Sequence, residues 1–220
     1  MPEQVQAVVF DYGGVMTNSI KAIVGAWMER EAIDPESFTE AMREWLGSSA
    51  ADGNPVHLLE TGQMPVDEFD LHLAARLRTI DGGPVDPSGL SESLFAGMHP
   101  DEDMFELVDQ LRGYRIPVGL LSNSWGNGYP RQRLDAAFDF VVISGEVGMR
   151  KPDLDIYQYC LQGLGASAAT TVLVDDAEQN VHGALRAGMQ AIRHVGEPST
   201  RSELGALGLP VTVVTAQGGK

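Results

Sequence analysis

Asp11 closes a short apolar run over residues 6–10 and is followed by Tyr12-Gly13-Gly14, a sequence that turns instead of continuing as a helix. A carboxylate so placed can attack phosphorus or carbon and carry a covalent intermediate. Three further apolar runs end in polar residues, at Ser122-Asn123, at Ser144 and at Asp175-Asp176. Lys151 follows the run that ends at Ser144, within Gly148-Met149-Arg150-Lys151-Pro152. On one edge of a sheet these groups would have complementary chemistry. Asp176 beside Asp11 is repulsive unless a cation intervenes, which points to a hard divalent ion, Mg²⁺ by preference. The Lys151 ammonium can offset charge on the nucleophile and on a transferring group. The Ser122 hydroxyl and neighbouring N–H groups can hold phosphate oxygens. Each residue alone has an ordinary use: an Asp capping the helix that begins near Ala177, a serine bonding its own loop, a surface lysine. Their joint occurrence, in this order and at strand ends, singles them out.

Parallel strands are the elements that would bring them together. Runs over 6–10, 116–121, 138–143, 170–174 and 190–192 are apolar almost throughout, as expected of strands buried on both faces. Amphipathic patterns over 101–112, 153–164 and 177–187 lie between the later runs. Alternation of this kind predicts an α/β fold with a doubly wound, Rossmann-like parallel sheet. Residues 19–96 break the rhythm and read as helices over 19–32, 35–46, 65–77 and 87–96. Pro35, Pro65 and Pro87 suit the first turn of a helix, where a missing N–H is harmless. The expected organisation is a catalytic core of residues 1–18 and 97–220 with a helical cap, 19–96, inserted after the first strand. Such a cap could cover the carboxyl edge of the sheet, where ligands bind in open α/β folds.

With 220 residues, 43% of them hydrophobic, the chain can bury one sizeable core and a smaller accessory one. A single cysteine, Cys160, excludes an intrachain disulfide and falls in an apolar helical pattern, as a buried thiol would. No basic leader or long apolar stretch precedes the first strand, so a cytoplasmic setting without a membrane span is expected. A net charge of −16 disfavours nucleic acid and anionic membranes as partners. A small anionic substrate would need local positive groups. Monomer and homodimer both remain open. Trp125, just after the second strand, is a pocket candidate, whereas Trp27 and Trp45 suit helix packing.

Four segments resemble the haloacid dehalogenase-like hydrolase superfamily: Val8-Val9-Phe10-Asp11-Tyr12-Gly13-Gly14-Val15, Leu120-Leu121-Ser122-Asn123, Gly148-Met149-Arg150-Lys151-Pro152-Asp153 and Val174-Asp175-Asp176. Leu59-Glu60-Thr61-Gly62 with Phe69 resembles its helical cap. Within it, the chain resembles the small bacterial sugar-phosphate phosphatases and the N-terminal phosphatase domain of soluble epoxide hydrolase. The resemblance implies that Asp11 becomes an aspartyl-phosphate and ligates Mg²⁺ together with the Gly13 carbonyl and Asp176. Asp175 would bind or orient the ion. Ser122 and Asn123 would hold the phosphoryl group, and Lys151 would pair with Asp11 and the phosphate.

One position departs from the phosphatase pattern. The residue two beyond the nucleophile is usually an Asp that protonates the leaving oxygen; here it is Gly13. Losing a general acid typically costs about 10²–10⁴ in rate. The expected activity is therefore a Mg²⁺-dependent phosphatase of a small phosphorylated metabolite. It would be weakened by Gly13, use a good leaving group, or take its proton from a cap residue such as His57 or Glu60. Two alternatives stand beside it. A metal-independent 2-haloacid dehalogenase also lacks the second Asp, but lacks the acidic pair too. A non-catalytic binding relative would keep only the scaffold.

Overall fold

The computed structural model describes residues 4–47, 51–126 and 128–211. Strands β1 (Ala7–Phe10), β2 (Val118–Ser122), β3 (Phe140–Ile143), β4 (Thr171–Asp175) and β5 (Gln190–Arg193) form one parallel sheet in the order β3-β2-β1-β4-β5. All residues of β1, β2 and β4 are buried, because helices cover both faces. Alternate β1 side chains serve opposite layers. Val8 and Phe10 pack with Met104, Leu107 and Leu111, and Val9 packs with Ile156, Tyr157 and Cys160. Burial pushes the Cys160 thiol up to about 12, so it is an inert packing group.

Of the six helices described between β1 and β2, the first five are α1 (Ile20–Arg30), α2 (Pro35–Leu46), α3 (Pro55–Glu60), α4 (Val66–Ala74) and α5 (Leu90–Phe95). They share a separate apolar core in which Trp27, Trp45, Phe69 and Leu73 are buried. Pro35 and Pro55 occupy first turns, whereas Pro65 is itself the N-cap of α4. The sequence pattern predicts four helices here. The fifth, α3, is six residues long and carries fewer than two turns of periodicity. The remainder comprises α6 (Glu102–Gly113), α7 (Arg131–Ala137), α8 (Ser144–Val147), α9 (Leu154–Leu164), α10 (Glu178–Arg186) and α11 (Glu197–Ala206). No helix among the described residues is long and apolar enough to cross a membrane.

From β1 the chain steps outward through β2 to β3, then returns to the other side for β4 and β5. The reversal falls between β1 and β4. It opens a crevice outside their carboxyl ends, where open α/β sheets bind ligands. Phe10 is in register with Val174, so Asp11 and Asp175 emerge side by side.

Candidate active site

The backbone delivers Asp11 rigidly. Its N–H donates to the Val174 carbonyl at 2.9 Å, extending strand pairing one residue past β1. The Tyr12 N–H donates to Asp11 Oδ1 at 2.7 Å, which orients the carboxylate. The turn then closes as the Met16 N–H reaches the Tyr12 carbonyl at 2.8 Å. Gly14 has φ +78°, and a Cβ there would lie 2.5 Å from Asp176 Oδ2. Only glycine combines that backbone with so close an approach. Gly13 is different: its φ is outside the left-handed region, and a Cβ would meet only Ile20 Cδ1, at 3.2 Å, and Ile20 Cγ1, at 3.7 Å.

Lys151 is wholly buried between two carboxylates, with Nζ 2.8 Å from Asp11 Oδ1 and 2.6 Å from Asp175 Oδ2. Burial opposes its charge, but Asp11 and Asp175 prevail and hold its ammonium above the ordinary lysine range. Asp175 is fully committed to the protein. It also accepts from the Ala177 N–H at 2.9 Å and from Asn180 Nδ2 at 3.0 and 3.1 Å. Carboxylate oxygens of Asp11, Asp175 and Asp176 lie within 4.8 Å of one another. Burial, with Asp175 and Asp176 adding to it, holds Asp11 up at about 7 despite Lys151. Burial and then Asp175 also raise Asp176. Three carboxylates converge on one buried ammonium, so the cluster is short of positive charge. An all-oxygen donor set with that deficit suits a hard divalent cation.

A cavity of about 340 Å³ opens over this cluster. Asp11, Gly13, Ser122, Asn123 and Asp176 lie at its polar end, and Trp125 lies in its wall. The Ser122 hydroxyl shares a 2.9 Å hydrogen bond with the Tyr129 hydroxyl. Asn123 clamps the main chain of Lys151: Nδ2 donates to its carbonyl at 3.0 Å, and Oδ1 accepts from its N–H at 2.8 Å. The amide thus positions the lysine, a role the motif alone does not disclose. Trp125 Nε1 donates to Glu60 Oε1 at 3.0 Å, and its ring packs edge-on against Phe69.

His57 and Glu60, the candidate proton donors from the helical segment, are not among the lining residues. Glu60 is buried, with Oε2 2.6 Å from Arg150 Nε, so its carboxylate joins α3 to the loop that carries Lys151. Ser144 adds to this junction, donating to the Glu60 carbonyl and accepting from the Ser124 N–H. Tyr129, Arg150 and Asn180 complete the surroundings. Arg150 and Asn180 stand within or near the quoted motifs, whereas Tyr129 lies in a loop with no periodic signal.

Residues 5–188 match the family description haloacid dehalogenase-like hydrolase. A phosphatase of Mycobacterium tuberculosis is 28% identical over 200 residues, 85% of this chain and 86% of its own length. A flavin mononucleotide hydrolase of Arabidopsis thaliana is 28% identical over 163 residues, 73% of this chain. A sesquiterpene phosphatase of Aspergillus oryzae is 32% identical over 111 residues, 49% of this chain. The match spans 65% of the length of the Arabidopsis protein and 57% of that of the Aspergillus one. Among solved structures, a haloacid dehalogenase-like hydrolase from Porphyromonas gingivalis superposes with a TM-score of 0.61 at 23% identity, covering 87% of this chain and 91% of that one. An L-2-haloacid dehalogenase from Xanthobacter autotrophicus gives 0.57 at 20%, covering 92% and 84%. These two likenesses concern the fold. A parallel sheet of this order and a family match over most of its length lead to one conclusion: the chain belongs to the haloacid dehalogenase-like hydrolases.

Proposed function

We propose that this hydrolase is a Mg²⁺-dependent phosphatase of a small phosphate monoester, with Asp11 as its nucleophile and helices α1–α5 as its cap. The observation that carries the reading is the charge deficit of the Asp11–Asp175–Asp176 cluster around a single buried lysine. Asp11, Asp176 and the Gly13 carbonyl would hold the ion. Asp175, with both oxygens already bonded, would instead hold Lys151 and orient the set. When bound, Mg²⁺ would neutralise the surplus carboxylate charge and draw electron density from the phosphoryl oxygens.

The chain's own groups account for the remaining chemistry. An Asp11 carboxylate oxygen bonds to phosphorus as the bond to the alcohol oxygen breaks. The alcohol oxygen needs a proton, and Gly13 supplies none, so water must provide it. A second water then attacks phosphorus, releasing inorganic phosphate and restoring the carboxylate. Lys151 balances charge on Asp11 and on the phosphoryl group throughout. The Ser122 hydroxyl, backed by Tyr129, holds a phosphoryl oxygen. The relatives named as phosphatases in a fungus and a bacterium, and the one named as a flavin mononucleotide hydrolase in a plant, support this reading.

Gly13 favours a second reading, a 2-haloacid dehalogenase, in which Asp11 attacks carbon and no metal is used. The acidic pair weighs against it, since uncompensated carboxylates beside Asp11 would be costly. Phosphate esters and 2-haloacids assayed with Mg²⁺ or with EDTA separate the two. The proposal expects phosphate release that EDTA abolishes. Halide release in EDTA, without phosphate release, would refute it.

A further inference from the structure

We infer that the alcohol part of the substrate is a hydrocarbon body: the cavity takes the monophosphate of an apolar alcohol in preference to that of a sugar or nucleoside. The inference rests on the phosphatase reading and names its substrate class. Among the described residues, every lining residue between positions 20 and 98 is apolar. Val24 of α1, Phe38 and Met42 of α2 and Leu94 of α5 line the same cavity as Asp11 and Asp176. Val24, Phe38 and Met42 are only partly buried by the α1–α5 core against which they pack. That leaves apolar surface turned toward the space a ligand would occupy, and covering it with hydrocarbon is favourable.

The polar groups in the wall point the same way. The Trp125 indole bonds Glu60, the Tyr129 hydroxyl bonds Ser122, and the Asn123 amide bonds the Lys151 main chain. Sugar hydroxyls buried against such a wall would lose water without replacement. No described lysine, arginine or histidine lines the cavity, so a second phosphate would find no partner there. Lys151 lies behind Asp11, wholly buried. The volume, about 340 Å³, admits one phosphoryl group and a compact hydrocarbon.

A chain-length series tests this, because leaving-group acidity is nearly constant beyond the shortest alkyl phosphates. With saturating Mg²⁺, kcat/KM for n-alkyl monophosphates from methyl to decyl should climb about fourfold per methylene until the cavity fills. Glucose phosphate should fall at least about a hundredfold below hexyl phosphate. Met42→Gln, nearly isosteric, should cut the octyl-to-methyl ratio about tenfold, and Val24→Thr should cut it in the same direction. A flat series, or preference for glucose phosphate, overturns the inference while leaving the phosphatase reading standing. Absence of Mg²⁺-dependent hydrolysis even of p-nitrophenyl phosphate overturns that reading. A readout without turnover separates the two failures: n-alkanols, the expected products, should raise the melting temperature in EDTA increasingly with chain length. No such trend would show that the cavity does not take hydrocarbon.

Discussion

Lys151 Nζ stands 2.8 Å from Asp11 Oδ1, behind the carboxylate that lines the cavity, its side chain wholly shielded from water. A buried ammonium there is stable only because Asp11 and Asp175 flank it. Replacing it would leave those carboxylates facing one another. Lys151→Ala should therefore destabilise the fold by about 3–5 kcal/mol. Urea denaturation measures the loss. Turnover should also collapse, and added Mg²⁺ should not restore it. A variant as stable as the parent would contradict the structural half of this account.

Gly13 offers the cleanest gain-of-function test. Its backbone is outside the left-handed region, and a Cβ would press only on the flexible end of Ile20. Gly13→Asp should fold and place a carboxyl group beside the leaving oxygen. Hydrolysis of alkyl phosphates should rise about a hundredfold, the low end of the 10²–10⁴ that a positioned general acid contributes. Aryl phosphates such as p-nitrophenyl phosphate should gain much less, since phenolate leaves unprotonated. A folded variant with no gain on alkyl relative to aryl esters would show that a missing acid does not limit this enzyme.

The adjacent glycine should behave in the opposite way. At φ +78° a side chain is strained, and a Cβ would collide with Asp176 Oδ2. Gly14→Ala should cost about 1–2 kcal/mol from the backbone alone. Displacing Asp176 should also raise the Mg²⁺ concentration needed for half-maximal rate. A magnesium titration superimposable on that of the parent would remove Asp176 from the proposed ligand set.

Much of this site is legible in the chain because parallel strands bury both faces. Val8, Val9 and Phe10 leave no polar residue until Asp11, so strand end and carboxylate coincide. The same holds for Ser122, which ends β2, and for Asp175, which ends β4. What escapes is set by contacts between distant segments. The Asn123 side chain faces the Lys151 backbone, and Glu60 reaches Arg150 across 90 positions. Neither pairing leaves a periodic trace. Helices α3 and α7 are too short for amphipathic patterning. In α11, Arg201 is buried by its contacts with Glu197 and Gln110, which defeats a reading that sends charge to the surface.

His194 should make stability sensitive to mild acid. It is largely buried, and its Nδ1 lies 2.8 Å from Thr200 Oγ1. Burial lowers its pKa, outweighing the opposing pull of Asp101 and Glu197. The unfolded chain, with a histidine near about 6.5, therefore takes up the proton first as pH falls. Stability due to this group is complete above that value and is lost as pH drops from it toward the lower folded value. His194→Gln should flatten the dependence of urea stability on pH in that window. An unchanged slope would assign the acid sensitivity elsewhere.

The central claim is that Asp11 itself receives the phosphoryl group. The direct measurement is to mix the enzyme with Mg²⁺ and an intact phosphate ester that it hydrolyses, quench in acid within a turnover, and locate phosphoryl mass on peptides by mass spectrometry. The account predicts one phosphoryl group on the peptide containing Asp11, absent in EDTA and absent in Asp11→Asn. Phosphate release by Asp11→Asn at the parental rate, with no phosphoryl group on that peptide in either protein, would contradict it.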